Sequence, residues 1–208
     1  MGATEATLGV IREMAAAMEE HRGYLTKLDS EIGDGDHGTN MHRGFQAALE
    51  RLDGAELNTP ADVLKAVSMA LISKVGGAAG PLYGTAFLRA STALADKEEV
   101  SGEDVAAALE AALGGIQQRG KAEVGDKTIV DALTPAVEAA KGAGGGSVAE
   151  VFRAAAAAAE EGAVSTVEMT ARRGRASYLG ARAVGHRDPG ATSTQLLLEA
   201  AARSLGSE

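Results

Sequence analysis

Residues 101–120 read SGEDVAAALEAALGGIQQRG, and this stretch decides the fold class. Val105, Leu109, Leu113 and Ile116 recur every three or four residues, which places them on one face of a helix. Ser101 with Asp104 three residues later is a capping box, and Gly120 supplies the stop. The same grammar extends in both directions. Leu8, Ile11, Ala15 and Met18 mark an earlier helix, and Val63, Val67, Leu71 and Val75 mark another. Thr59-Pro60 with Asp62 sets a cap, a first-turn proline and an acid in order, and Ser147 with Glu150 forms a further box. Gly23, Gly54, Gly76 and Gly142 follow periodic segments as stops. No alternating, β-branched run reaches strand length.

The pattern predicts helices near 4–21, 24–32, 39–53, 60–75, 81–96, 102–119, 128–141 and 148–170, with a ninth near 190–205. The class is all-α, and the short connections favour antiparallel neighbours in a bundle or closed barrel. Gly142–Gly146 (GAGGG) reads as a turn inside one domain, because the Ala-rich helical pattern continues on both sides. A single domain over 1–208 is expected.

Composition narrows the function. The net charge is −9, with 29 acidic against 20 basic residues, and only 3% of residues are aromatic. Such a surface repels nucleic acid and lacks stacking platforms. There is no Cys, hence no disulfide framework and no thiolate metal site. No basic-then-apolar leader opens the chain and no stretch is apolar enough to span a membrane, so a cytoplasmic protein is expected.

Chemistry concentrates in Leu28–Phe45, LDSEIGDGDHGTNMHRGF. Asp34 and Asp36 alternate with Gly33, Gly35 and Gly38, and Asp29 lies five residues upstream of Asp34. Carboxylates this close repel one another unless a cation lies between them, and an oxygen-only set suits Mg²⁺ better than zinc. Two superficial matches fail. The literal G-x-G-x-x-G follows no strand and carries Asp at two variable positions. As an EF-hand begun at Asp34, the loop puts Phe45 where the closing Glu belongs. The plainer alternative is that these acids form Asx-turns and cap the following helix. Three carboxylates with one Mg²⁺ stay negative, and a nucleoside phosphate adds more negative charge. Two Mg²⁺ ions shared by the acids and the phosphates restore the balance.

Other glycine turns open helices: GGAAGPLYGT at 76–85, GKAEVGDKT at 120–128 and GRASYLGARAVGHRDPG at 174–190. The free N–H groups at the helix start after the 76–85 turn can receive phosphate. Taken alone, each turn is commonplace, and each arginine in the last reads as a surface charge.

Together the segments LDSEIGDGDHGTNM, SKVGGAAGPLYGT, GKAEVGDKTIVDAL and GRASYLGARAVGHRDPGATS resemble the L-type, nucleotide-binding subunits of dihydroxyacetone kinases, over essentially the whole chain. The resemblance implies a barrel of eight antiparallel helices with ADP or ATP across one end. It implies Mg²⁺ ligation by Asp29, Asp34 and Asp36. It implies nucleotide contacts from His37, Gly38, Thr39 and Asn40, from Ala78 and Ala79, from Gly120 and Ile129, and from Arg175, Asp188, Pro189 and Gly190. Ala79 departs from the family pattern, which has Ser there, so a hydroxyl contact is lost while the backbone N–H remains. The implied partners are a K-type subunit holding dihydroxyacetone and an M-type phosphoprotein of the phosphotransferase system that recharges the nucleotide. The rival readings are an ATP-using form of the same subunit, a metal-dependent phosphohydrolase, and a non-catalytic nucleotide sensor.

Overall fold

A computed structural model describes residues 2–95 and 97–206. The expected end of the fifth helix at 96, and residues 1, 207 and 208 of the expected domain, lie outside the described residues. The α-helices are α1 (Ala3–Glu20), α2 (Arg22–Ile32), α3 (His37–Leu52), α4 (Pro60–Lys74), α5 (Ala79–Ala93), α6 (Gly102–Gly120), α7 (Ile129–Gly142), α8 (Val148–Ser165) and α9 (Pro189–Gly206). Two 3-10 segments, Thr166–Glu168 and Arg175–Ala183, lie between α8 and α9. Among the described residues there is no strand.

The starts obey the sequence closely. Thr59, Ser101 and Ser147 each close a full capping box with Asp62, Asp104 and Glu150, and Thr128 does the same with Asp131. Two ends differ from expectation. Gly23 lies inside α2, because the break falls at His21, whose N–H is still held by the carbonyl of Ala17. The eighth helix stops at Ser165 rather than near 170. There the Thr166 hydroxyl turns back to the Ala163 carbonyl and the backbone tightens into a 3-10 turn.

From α3 to α9 each helix packs on the next, α9 returns to α1, and α1 packs on α3. Eight helices thus close a ring, with α2 laid beside α3. The apolar faces read from the sequence point inward: Ile11, Met18, Val63, Val67 and Leu71 are fully buried, as is Phe45, which meets Phe87 edge-on at 6.2 Å. The ring encloses an apolar cavity of about 640 Å³, walled by Ile11, Val105, Ile116, Leu133, Phe152 and Leu198 among others. Small residues let the helices approach. A Cβ on Gly84 would sit 2.3 Å from Ile72 and one on Gly162 the same distance from the Asp131 carbonyl.

Antiparallel succession has one consequence for function. The N-termini of α3, α5, α7 and α9 gather at one rim, together with the C-termini of α4, α6 and α8. Contacts trace that rim as a circuit: Asn40 to Gly76, Leu82 to Gly120, Ile129 to Gly190, and Ser193 back to His37.

Candidate nucleotide and metal site

The acidic loop begins where α2 ends. The Gly33 N–H donates to the Asp29 carbonyl at 2.6 Å, and Gly35 takes φ +73°, a left-handed turn open to glycine. The chain then reverses so that Asp29, only 8% exposed, lies under the start of α3. Its Oδ2 accepts the N–H groups of Asp36 at 2.8 Å and His37 at 3.0 Å. The capping alternative therefore holds for one oxygen of one acid. The other oxygen, Oδ1, faces Gly33, where a Cβ would come within 2.1 Å of it.

Asp34 and Asp36, both exposed, each offer one carboxylate oxygen, and with one from Asp29 these atoms all lie within 4.8 Å of one another. Hard oxygen donors at that spacing, with Asp29 Oδ1 kept clear by a glycine, suit a small divalent cation such as Mg²⁺. Arg175 reaches across from the 3-10 segment, its Nη2 2.9 Å from Asp34 Oδ2, and His186 Nδ1 lies 3.0 Å from Glu31 Oε2. Both contacts tie the 174–188 segment over α2 and the loop.

Behind the acids the first turn of α3 is buried. His37 is 9% exposed and its Nε2 meets the Ser193 hydroxyl at 2.9 Å. Burial lowers its pKa against the pull of Asp29 and Asp36, which favours the neutral ring. Gly38 allows α2 and α3 to touch, since a Cβ there would lie 2.1 Å from the Arg22 carbonyl. Thr39 is half-buried and Asn40 is 5% exposed.

The remaining residues expected at the site lie along the rim. Ala78 caps α5 and Ala79 is its first residue, Gly120 ends α6, and Ile129 opens α7. None of these four hydrogen-bonds the three carboxylates among the described residues. Pro189 opens α9, and Gly190 packs on Ile129. Asp188, 8% exposed, caps α9 by accepting the Ala191 N–H at 2.7 Å. Burial pushes its carboxyl up to about 7, opposed by the Ala191 hydrogen bond and by Lys127.

Two features escaped the sequence reading. Lys127 is 1% exposed at φ +64°, and its ammonium donates to the carbonyls of Thr166 and His186. It pins the turn after α8 to the loop carrying Asp188, and burial lowers its pKa although Asp188 and Asp131 attract the charge. Nothing in GDKT distinguishes such a lysine from a surface one. Tyr83 is the second. Its hydroxyl meets Ser193 at 2.7 Å and Thr194 at 2.9 Å, joining α5 to α9 beside His37. Burial lifts this phenol to about 12, so it stays protonated.

The sequence pattern of the DAK2 domain matches residues 31–203. The chain belongs to the DAK2 domain family. It is 45% identical over 178 residues to the ADP-binding subunit DhaL of the PEP-dependent dihydroxyacetone kinase of Escherichia coli K12, covering 85% of each chain. To the ADP-binding subunit DhaL of the PTS-dependent dihydroxyacetone kinase of Lactococcus lactis it is 40% identical over 184 residues, 88% of each. In three dimensions it resembles the dihydroxyacetone kinase from C. freundii in complex with AMP-PNP and Mg²⁺. The TM-score is 0.74 at 27% identity, and the likeness covers 94% of this chain and 33% of that one. The chain therefore spans about a third of that kinase's length.

Proposed function

We propose that this chain is the Mg²⁺-nucleotide-binding subunit of a dihydroxyacetone kinase, a single domain over 1–208 acting in the cytoplasm with two partner chains. The observation that carries the reading is the coincidence, on one rim, of three convergent carboxylates with four helix N-termini. Helix N-termini attract anions through free N–H groups and the positive end of the dipole. Carboxylates repel them. Together they suit a polyphosphate that arrives with metal.

Asp29, Asp34 and Asp36 would hold two Mg²⁺ ions, which neutralise phosphate charge and polarise the transferring group. The chain's own residues do the rest. The first turn of α3, His37 to Asn40, offers backbone and side-chain donors beside the metal ligands. Ala78 and Ala79 offer N–H groups at the start of α5, the backbone there replacing the hydroxyl that Ala79 lacks. Arg175 can exchange its Asp34 partner for phosphate oxygens, giving a fork that Lys cannot reproduce. Asp188, Pro189 and Gly190 hold the opening of α9 against Ile129, with Gly120 at the far side of the rim.

Among the described residues, no side chain at this rim is arranged to activate a triose. A kinase must set its acceptor in line with the phosphoryl group, so the acceptor belongs to a K-type chain facing the same rim. The names of the two relatives, PEP-dependent and PTS-dependent, favour recharging of bound ADP by an M-type phosphoprotein over free ATP. The test is reconstitution. The purified chain should bind ADP only with Mg²⁺ and leave dihydroxyacetone unphosphorylated until K-type subunit is added. Turnover of dihydroxyacetone by the chain alone, at a rate typical of kinases, would overturn the assignment.

A further inference from the structure

Arg43 belongs to none of the residues assigned above, yet it touches two of the segments they come from. Its Nη2 donates to Asn40 Oδ1 at 2.5 Å, and its Nε donates to the Lys74 carbonyl at 2.9 Å. The first bond lies in the opening turns of α3. The second satisfies one of the carbonyls left open at the end of α4, just before the Gly76-Gly77 turn that leads into α5. One planar group thus spans α3 and α4 at the rim.

The chemistry of the pair fixes a direction. A guanidinium carries five N–H donors and no acceptor, so the Asn40 amide must turn its oxygen toward Arg43. Its nitrogen, with two donors, is left to face the other way. Among the described residues Asn40 Nδ2 has no hydrogen-bond partner, and the Gly76 position packs on the face of the amide: a Cβ there would lie 3.1 Å from both Nδ2 and Oδ1. A flipped amide would aim its oxygen at any phosphate in the rim and its nitrogen at a cation, unfavourable on both sides.

We infer that Arg43 is a positioning residue that sets the polarity of the Asn40 amide, so that this buried side chain presents N–H donors to nucleotide phosphate, and that it holds the Gly76-Gly77 turn in register with it. The inference rests on the reading of the rim as a nucleotide site. Arg43 acts through Asn40 and does not itself reach the ligand.

A double-mutant cycle in ADP affinity, measured calorimetrically in excess Mg²⁺, tests it. Arg43→Met should weaken ADP binding about tenfold, on the scale of one charge-assisted hydrogen bond. In an Asn40→Ala background the same change should cost about twofold or less, because the group it orients is gone. Arg43→Lys keeps charge and stem but not the fork, and should lose about fivefold or more on the Asn40 background of the native chain. Equal losses from Arg43→Met in both backgrounds, or full affinity in Arg43→Lys, would overturn the inference. If Arg43→Met fails to fold, Arg43→Lys carries the same cycle. Failure of the unmutated protein to bind ADP would instead refute the nucleotide reading of the rim.

Discussion

Two glycine-rich connections, one at each rim of the barrel, look alike on paper and behave differently in space. Residues 33–36, GDGD, join α2 to α3 at the site; residues 142–146, GAGGG, join α7 to α8 at the opposite rim. At the first, a Cβ on Gly33 would come within 2.1 Å of the Asp29 carboxylate, and Gly35 needs its left-handed φ of +73°. At the second, Gly142 and Gly145 have nothing within 4 Å and none of the glycines has a left-handed φ. Glycine at the site makes room for a carboxylate oxygen, whereas at Gly142 and Gly145 of the far rim it fills positions that other residues could take, and only Gly146, whose Cβ would lie 2.8 Å from the Glu150 carboxylate, is crowded there. Composition cannot tell these apart; the neighbour of the missing side chain does.

The hardest test of that contrast is Gly33→Ala. The new methyl must displace Asp29 Oδ1, so Mg²⁺-dependent ADP binding should fall by about 3 kcal/mol or more, at the upper end for overpacking. Calorimetry showing near-native affinity would remove the reason for a glycine there. Asp34→Asn keeps the shape but deletes one negative ligand, and about 2 kcal/mol of ADP affinity should go with it. Affinity that survives both this change and EDTA would end the metal reading.

The helix caps at the two rims sharpen the comparison through pH. The α9 cap, Asp188, is buried with its carboxyl raised to about 7, above its ordinary 3.8. Its contribution to stability is therefore full below the ordinary value and is lost as pH rises through about 7. The α8 cap partner, Glu150, is exposed and lowered by its hydrogen bonds to Ser147, so its contribution is present at neutral pH and fades as pH falls. Thermal melts without metal should show Asp188→Asn flattening the decline between pH 5 and 7.5, by on the order of 1 kcal/mol. Glu150→Gln should leave that window unchanged. An Asp188→Asn variant with the native slope would mean that this carboxyl does not govern it. Gly145→Ala comes last, with a change within about 0.5 kcal/mol and no loss of nucleotide affinity. A large loss in a denaturant titration would show the far turn to be as constrained as the near one.

Much of the fold could be read in advance because its signals are local. Capping boxes at Thr59, Ser101 and Ser147 depend on residues three apart, and apolar spacing within one helix names its buried face. The failures came where distant chain segments decide. Gly23 looks like a stop, yet the α1–α2 break falls two residues earlier; α8 yields to a 3-10 turn that Lys127 pins to the loop before α9. The convergence of Asp29, Asp34 and Asp36 was legible because the three acids lie within eight residues. Tyr83, Lys127 and Arg43 were not, since what each does depends on partners on other elements, such as Ser193, His186 and the end of α4.

Closure of the ring by α1 and α9 has a consequence for engineering. Ser204 lies beside Gly9, with its Oγ 3.4 Å from where a Cβ on Gly9 would sit. This places the start of α1 and the finish of α9 together, away from the rim that carries the carboxylates. A short tether could join these ends, and new ends could be cut beside Gly145, which has open space around it, yielding a circular permutant with the same wall of helices. The same geometry lets another polypeptide be appended at either end without obstructing the rim.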